Sequence, residues 1–309
     1  MRIVFLGSGA FGRPTLERLA ADHEIALVVS QPARPAGRSR RPTPTPVAAW
    51  AGERGLATFT PERLDEAAVE RILAERADAH VVIAYGHRIP PAIVDAAFSI
   101  NLHASLLPRW RGAAPINHAM IAGDAETGVS VIGLAQRMDA GLVYAVRATP
   151  IDPRETAGEL HDRLAAMGPG AVAEVLAAHA RGEAEALGRP QDEAAATRAP
   201  KLAKADGRLD LTRPAVELRR RVHGLTPWPG CAIELAGVVL KLLRVADEPA
   251  SPEAPVAPPG TLLEDGTLAT GHGRLRPLEV QPAGRRPMAW GDFLRGRALP
   301  AGIVAGPAG

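Results

Sequence analysis

A short segment of the chain, residues 100–139, contains side chains that together could carry out acyl transfer. Asn101 and His103 are two positions apart in INLHASLLPRWRG, so on an extended strand both side chains project from the same face. A second strand-like run, ETGVSVIGLAQ, is followed by RMDAG, which places Asp139 at a strand end beside a turn. The single cysteine, Cys231, is distant in sequence, and no serine is placed to form an acyl-enzyme. The pattern therefore favours direct attack of a substrate amine on an activated acyl donor.

Each of the three side chains has a defined role in this hypothesis. A carboxamide can donate a hydrogen bond to a carbonyl oxygen and to the developing oxyanion, which lowers a barrier by roughly 3 kcal/mol. An imidazole can take or relay the proton of the attacking amine, and a carboxylate can orient the imidazole. Taken singly, Asn101 and Asp139 are typical turn residues, and His103 is typical of a core or surface histidine. They become a candidate site in combination with the loop between them.

The sequence NLHASLLPRWRGAAPI resembles the signature of the folate-dependent formyltransferases. The similarity to that family extends over nearly the whole chain, through VFLGS, QPARPAGRSRR, AYG, GDAETGVS, KLAKADGRLD and TPWPG. The resemblance implies that Asn101, His103 and Asp139 are the catalytic residues, that 10-formyltetrahydrofolate is the formyl donor, and that no metal is required. It also implies that the SLLP loop and the end of the strand HVVIAYG contact the folate, although packing is the commoner role for a tyrosine in such a position. The candidate folate-binding residues are Ser105, Leu106, Leu107, Pro108, Tyr85 and Gly86.

The chain of 309 residues predicts two domains of an α/β protein. Buried-strand patterns alternate with amphipathic helices over residues 1–188, which predicts an open α/β domain with a predominantly parallel sheet. The resemblance implies that this is a Rossmann-like catalytic domain. Within it, Gly-Pro-Gly at 168–170 predicts a break between two helices. Residues 189–205 are polar and rich in Ala and Pro, which indicates a linker. Short strands separated by Gly turns over 206–309 predict a small OB-like β-barrel, which the resemblance also implies.

The sequence GSGAFG at residues 7–12 matches G-x-G-x-x-G and raises the alternative of a nicotinamide-dependent dehydrogenase. That function needs an acidic residue at the end of the second strand to hold the ribose. The second strand, EIALVVS, instead ends in Ser30, Gln31 and Pro32. The glycines therefore predict a tight turn of an open α/β sheet.

Residues 31–46, QPARPAGRSRRPTPTP, contain four arginines and no acidic residue, with Pro and Gly throughout, which predicts a long exposed loop. Composition leaves two interpretations open, a surface insertion or an arginine-bearing finger for a phosphate backbone. The resemblance favours the finger, because the family places a basic loop here against the acceptor arm of tRNA, and it implies methionyl-initiator tRNA as the acceptor. For the lysines of the linker, simple solvation is the commoner role. The candidate tRNA-binding residues are Arg34, Arg38, Arg40, Arg41, Lys201 and Lys204.

Composition excludes several classes of protein. No apolar run approaches the ~20 residues that span a bilayer, and the N-terminus lacks the long apolar stretch of a signal peptide. One cysteine excludes an internal disulfide framework and a cysteine-rich zinc site. These patterns predict a cytoplasmic protein, which we expect to be a monomer. From Pro200 onward, 15 Lys and Arg and 11 Asp and Glu give a net charge of +4, a mild excess that suits phosphate binding.

Two further alternatives share part of the pattern. A small-molecule formyltransferase, acting on glycinamide ribonucleotide or an amino sugar, would contain the same core motif, but would leave the arginine loop and the second domain unexplained. A non-catalytic RNA-binding module would explain the charge distribution and leave the Asn-His-Asp motif unexplained. Salt dependence of acceptor affinity separates these functions, because contacts to phosphates release counterions.

Overall fold

A computed structural model of the chain describes residues 1–36, 41–250, 257–297 and 299–307. The described strands are, in chain order, β1 Arg2–Gly7, β2 Glu24–Val29, β3 Arg34–Ala36, β4 Arg41–Thr43, β5 Thr58–Phe59, β6 Ala79–Ile83, β7 Phe98–His103, β8 Arg111–Gly112, β9 Glu126–Gly133, β10 Val143–Pro150, β11 Arg198–Ala199, β12 Cys231–Leu235, β13 Val238–Glu248, β14 Leu268–Ala269, β15 Arg274–Pro282, β16 Met288–Ala289 and β17 Gly306–Pro307. The described α-helices are α1 Arg13–Asp22, α2 Pro46–Glu53, α3 Glu66–Leu73, α4 Pro91–Ala96, α5 Pro115–Ala122, α6 Ala157–Ala180, α7 Ala184–Leu187, α8 Ala215–Leu225 and α9 Trp290–Arg295.

The first of two compact units contains Met1–Gly112, Thr127–Thr149 and His161–Arg198. Its main sheet has the strand order β10-β9-β7-β6-β1-β2-β5. Strands β5, β2, β1, β6 and β7 pair in parallel, whereas β7 and β9 pair antiparallel. All residues of β6, and all but the first of β1, are buried, as expected for apolar strands covered on both faces. The predicted α/β fold with a predominantly parallel sheet is confirmed.

The sheet determines where the catalytic motif lies. In β7, Asn101 pairs with Val82 of β6 and with Ile132 of β9, and His103 pairs with Ser130 of β9. Both residues are therefore in the carboxyl-terminal half of a strand within the sheet. Ligand crevices of open α/β sheets occur at this edge.

Helix α6 is continuous, although Gly-Pro-Gly at 168–170 predicted a break, so that prediction was wrong. Pro169 lies inside the helix. Gly168 is buried where a Cβ atom would come within 2.4 Å of Leu102 Cδ2 and 2.9 Å of Thr15 Oγ1. The glycine thus allows α6 to approach β7 closely, and this packing stabilises a helix that a proline would otherwise interrupt.

The arginine-rich segment contains regular structure where the sequence predicted only a loop. Strands β3 and β4 pair antiparallel, with Arg34 opposite Thr43 and Pro35 opposite Pro42. Proline fixes its own φ and biases the preceding residue towards extended backbone, so this composition can still form a short ladder.

The second unit contains Ala113–Glu126, Pro150–Leu160 and Ala199–Gly309. Its sheet is a curled antiparallel half-barrel with the order β14-β15-β13-β12-β17, and β16 pairs with β15. Residues 260–262 form backbone hydrogen bonds to Ala269 on one side and to residues 303–305 on the other. The core of this unit combines strand residues with α8 and α9. In the described part of the chain, no helix is long and apolar enough to cross a membrane.

Candidate active site

Strand β7 presents Asn101 and His103 at its carboxyl end. His103 is only 6% exposed, whereas Asn101 is half-buried. Its carboxamide makes no hydrogen bond with the described residues, so its donors are available to another molecule. The antiparallel ladder with β9 fixes the register of both residues. Asn101 is thus a partly accessible donor beside a buried imidazole.

The hydrogen bond from His103 to the main chain determines which ring nitrogen carries the hydrogen. Nε2 lies 2.9 Å from the carbonyl oxygen of Trp110, and because a carbonyl can only accept, Nε2–H is the donor. Nδ1 faces Asp139 Oδ2 at 3.7 Å, an ion-pair separation that is longer than a hydrogen bond. In the neutral ring, Nδ1 is therefore the nitrogen that can accept a proton, and the resulting imidazolium would face a carboxylate.

Asp139 is held by main-chain contacts on both sides of its turn. Its Oδ2 accepts a hydrogen bond of 2.8 Å from the amide of Gly112. Its backbone φ is +54°, in the left-handed region, which costs a non-glycine residue about 1 kcal/mol. The Nε2 of Gln191 donates to the carbonyl oxygens of Asp139 and Gly141, both at 2.8 Å. The carboxylate is therefore positioned by the loop after β7 and by residues much later in the chain.

The SLLP loop is held by two buried hydroxyl groups. Ser105 is fully buried, and its Oγ donates to the carbonyl oxygen of Arg109 at 2.6 Å. Ser130 Oγ donates to the carbonyl oxygen of Ser105 at 2.7 Å and accepts from the amide of Leu107 at 3.2 Å. The Ser105 hydroxyl thus maintains the loop from inside, while Leu106, Leu107 and Pro108 are partly exposed. The folate contacts of these four residues stay a prediction.

Tyr85 and Gly86 follow β6 at the same edge of the sheet. The Tyr85 ring is 2% exposed within an apolar core, and burial raises the pKa of its hydroxyl to about 12. Its carbonyl oxygen accepts from Gln31 Nε2 at 2.9 Å. Gly86 is exposed with φ +87°, and a Cβ there would lie 2.5 Å from Gln31 Nε2. Tyr85 therefore contributes packing, and contact of either residue with folate stays a prediction.

The basic residues assigned to tRNA are on exposed positions where the structure describes them. Arg34 forms an ion pair with Glu62 at 2.7 Å, between two side chains that are both mostly exposed. Exposed positions are also occupied by Arg41, Lys201 and Lys204. Arg38 and Arg40 lie outside the described residues. Within the described ranges, no cluster of His, Cys, Asp and Glu is arranged to hold a metal ion.

A buried arginine that the sequence did not single out lies beside the site. Arg111 is 9% exposed and donates from Nε and Nη2 to Gln191 Oε1, at 3.0 and 2.8 Å. It also forms hydrogen bonds to both carboxylate oxygens of Glu193, at 2.9 and 3.2 Å. These bonds, with a further one from Arg137, lower the pKa of Glu193 to about 2. Since polar composition in a linker carries no signal for such contacts, only the folded structure identifies them.

Comparison with known proteins gives matches over nearly the full length. The family model for formyl transferase matches residues 1–176, and the model for the formyl transferase C-terminal domain matches residues 201–298. Methionyl-tRNA formyltransferase of Paramagnetospirillum magneticum is 45% identical over 99% of this chain and 100% of that protein. The protein of the same name from Phenylobacterium zucineum is also 45% identical, over 98% and 99%.

Solved structures share the fold at lower identity. HypX from Aquifex aeolicus, solved in complex with tetrahydrofolic acid, superposes with a TM-score of 0.62 at 18% identity. The match covers 95% of this chain and 47% of HypX, so the chain spans about half of that protein. WlaRD, a sugar 3N-formyl transferase solved with dTDP and 5-N-formyl-THF, gives 0.67 at 12% identity, over 93% and 99% of the two chains. These likenesses establish the fold.

Proposed function

This chain belongs to the formyl transferase family, and we propose that it transfers a formyl group from 10-formyltetrahydrofolate to the α-amino group of methionyl-initiator tRNA. The product would be N-formylmethionyl-tRNA for translation initiation. The full-length relatives at 45% identity support this acceptor over a small molecule, since both are methionyl-tRNA formyltransferases. The enzyme is a transferase, and folate is its co-substrate.

The observation that carries the catalytic part of the proposal is the geometry around His103. Its Nε2–H is bound by Trp110, and Nδ1 faces the Asp139 carboxylate at 3.7 Å. Asn101, two residues earlier on β7, adds unpaired carboxamide donors. A proton acceptor, a carboxylate to stabilise its charged form and an oxyanion donor are the groups that amine formylation requires.

The steps of the reaction can be assigned to these groups, and the proton that the amine loses is the one that the leaving tetrahydrofolate gains. The amine nitrogen attacks the formyl carbon, and the carbonyl electron pair moves to the oxygen, which the Asn101 NH2 stabilises. Nδ1 of His103 takes the ammonium proton, and Asp139 stabilises the imidazolium. Collapse of the tetrahedral intermediate breaks the bond to N10 of the folate, which receives that proton as tetrahydrofolate leaves. An α-amine with pKa near 8 is appreciably neutral at pH 7, so the site mainly has to position it.

Recognition of the acceptor is assigned to exposed basic residues. In this proposal, residues 1–188 form the catalytic domain, 189–205 connect it, and 206–309 form an OB-like tRNA-binding domain. The guanidinium and ammonium groups would contact phosphates of the acceptor arm, and their exposure in the described ranges supports this role. The proposed contacts are Arg34, Arg38, Arg40, Arg41, Lys201 and Lys204 with tRNA, and Ser105, Leu106, Leu107, Pro108, Tyr85 and Gly86 with folate. We further propose that the enzyme is a cytoplasmic monomer.

The test is formyl transfer from 10-formyltetrahydrofolate to methionyl-initiator tRNA, with elongator methionyl-tRNA and glycinamide ribonucleotide as competing acceptors. We expect formylation of the initiator alone, with activity lost in Asn101→Ala and His103→Ala. Affinity for the initiator should fall with salt, and Lys201→Ala should lower the slope of log affinity against log salt by about 1. Transfer to the small acceptor in preference to tRNA would refute the proposed acceptor and leave the catalytic residues in place.

A further inference from the structure

We propose that the first residues of the connecting segment, 189–197, also support the catalytic centre, with Gln191 and Thr197 acting as positioning residues for Asp139 and His103. The segment follows α7 and belongs to the same compact unit as β7 and the Asp139 turn. This inference rests on the proposed function, because its main readout is formyl transfer.

Gln191 links the Asp139 turn to the buried arginine. Its amide nitrogen donates to the carbonyl oxygens of Asp139 and Gly141, both at 2.8 Å. Its amide oxygen accepts two hydrogen bonds from Arg111, at 3.0 and 2.8 Å. The side-chain nitrogen therefore acts as a donor while the side-chain oxygen acts as an acceptor, a combination that a carboxamide provides and a carboxylate does not. A carboxylate of the same length would keep the contact with Arg111 and place an acceptor against two carbonyl oxygens.

Thr197 performs the equivalent task for His103 through the loop. Its Oγ1 accepts from the amide of Trp110 at 2.9 Å, and its carbonyl oxygen accepts from the amide of Arg111 at 2.9 Å. Its own amide donates to the carbonyl oxygen of Pro108 at 3.3 Å. The carbonyl of Trp110 is the group that binds Nε2 of His103. The orientation of the imidazole thus depends on a peptide group that Thr197 holds.

Backbone conformation gives an independent reason for these contacts. Asp139 and Trp110 have φ of +54° and +63°, a region that residues with a side chain seldom occupy. Such conformations persist where surrounding contacts determine them. Gln191 and Thr197 supply hydrogen bonds at these two residues. The segment therefore holds two strained residues, one of which is the catalytic Asp139 and the other of which binds the catalytic His103.

Two pairs of variants separate positioning from general stability. Gln191→Ala and Gln191→Glu both remove the donated bonds, and Gln191→Glu retains the acceptor for Arg111. Thr197→Val removes the hydroxyl, whereas Thr197→Ser retains it. Gln281→Ala is the matched control, because Gln281 donates to the carbonyl oxygen of Arg285 in an exposed turn of the other unit.

We expect kcat for formyl transfer to fall about 10- to 100-fold in Gln191→Ala, Gln191→Glu and Thr197→Val, because small misplacement of catalytic groups has effects of that size. The KM values for folate and tRNA should change less than about threefold, since these residues hold catalytic groups and not substrate. Thr197→Ser should recover most of kcat, and Gln281→Ala should match the wild type. Wild-type kcat in Gln191→Glu, or equal losses in Thr197→Ser and Thr197→Val, would overturn the proposal.

Hydrogen exchange of the backbone amides in residues 137–142 provides a readout that does not require activity. Faster exchange is expected there in Gln191→Ala, with unchanged exchange in residues 274–282 of the other unit. If exchange rises but the wild type does not formylate tRNA, the proposed function fails and the positioning contact stands. If an active wild type shows the same exchange and kcat as Gln191→Ala, the positioning role fails and the function stands.

Discussion

Asp139→Asn tests the central electrostatic contact of the proposed mechanism with almost no change in shape. The substituted carboxamide can still accept the hydrogen bond from Gly112 through its oxygen, which keeps the 2.8 Å contact made by Oδ2. The charge that faces His103 Nδ1 at 3.7 Å is lost. Because Oδ2 makes both contacts, the amide oxygen of the asparagine would stay opposite Nδ1, and the substitution removes the negative charge without placing a donor there.

The expected magnitude follows from the distance and the burial. Two unit charges 3.7 Å apart interact by about 4.5 kcal/mol at an effective dielectric constant of about 20. The side chains of His103 and Asp139 are only 7% and 14% exposed, so screening by solvent is limited. Loss of that stabilisation, which is needed only when the imidazolium forms, corresponds to a fall in kcat of about 10³-fold.

The assay is kcat for formylation of initiator methionyl-tRNA at saturating folate, measured across pH, with soluble yield and circular dichroism as checks on folding. Asp95→Asn is the matched control, because Asp95 is an exposed residue of α4 in the same unit. We expect the control to retain wild-type kcat. A loss of less than about threefold in Asp139→Asn, with an unchanged pH profile, would refute the proposed role of the carboxylate.

Two further predictions concern stability. Gly168→Ala should lower the free energy of unfolding by about 1–3 kcal/mol, because its Cβ would lie 2.4 Å from Leu102 Cδ2. At Gly170 on the same helix, an added Cβ meets no atom within 4 Å, so Gly170→Ala should raise the free energy of unfolding by up to about 1 kcal/mol. If urea titrations showed that both substitutions change the free energy of unfolding in the same direction, the packing argument would be contradicted. Burial lowers the pKa of His223 from its ordinary value of 6.5 to about 4, so between those values the unfolded state binds more protons and stability falls with falling pH. The loss from pH 7 to pH 5 should be about 2 kcal/mol, and an equally large loss in His223→Gln would show that another group is responsible.

Local sequence patterns predicted most of the first unit correctly. The apolar runs that became β1 and β6 are nearly continuous because both faces of the strands are covered, and that signal is contained in the sequence. The spacing of Asn101 and His103 likewise determines their common face, since side chains alternate along a strand.

Errors arose where packing changed the outcome of a local rule. Gly-Pro-Gly predicts the end of a helix, but Gly168 packs against Leu102, and α6 continues through Pro169. The proline-rich arginine segment predicts a loop, but its ends pair as β3 and β4. In both cases the deciding contact lies far along the chain or across a turn, where periodicity and composition carry no information.

The sequence by itself determined the fold class, the family resemblance and the identity of the three catalytic candidates, because these depend on residue type and near spacing. Tertiary structure decided the tautomer of His103, the conformation of Asp139, and the contacts of residues 189–197 with the Asp139 turn and with the Trp110 peptide that binds His103. The contacts of residues 189–197 join residues at least 50 positions apart, as in the hydrogen bond from Gln191 to the carbonyl of Asp139. Hydrogen bonds to main-chain groups leave no pattern in the side-chain sequence, so only the folded chain can reveal which residues make them.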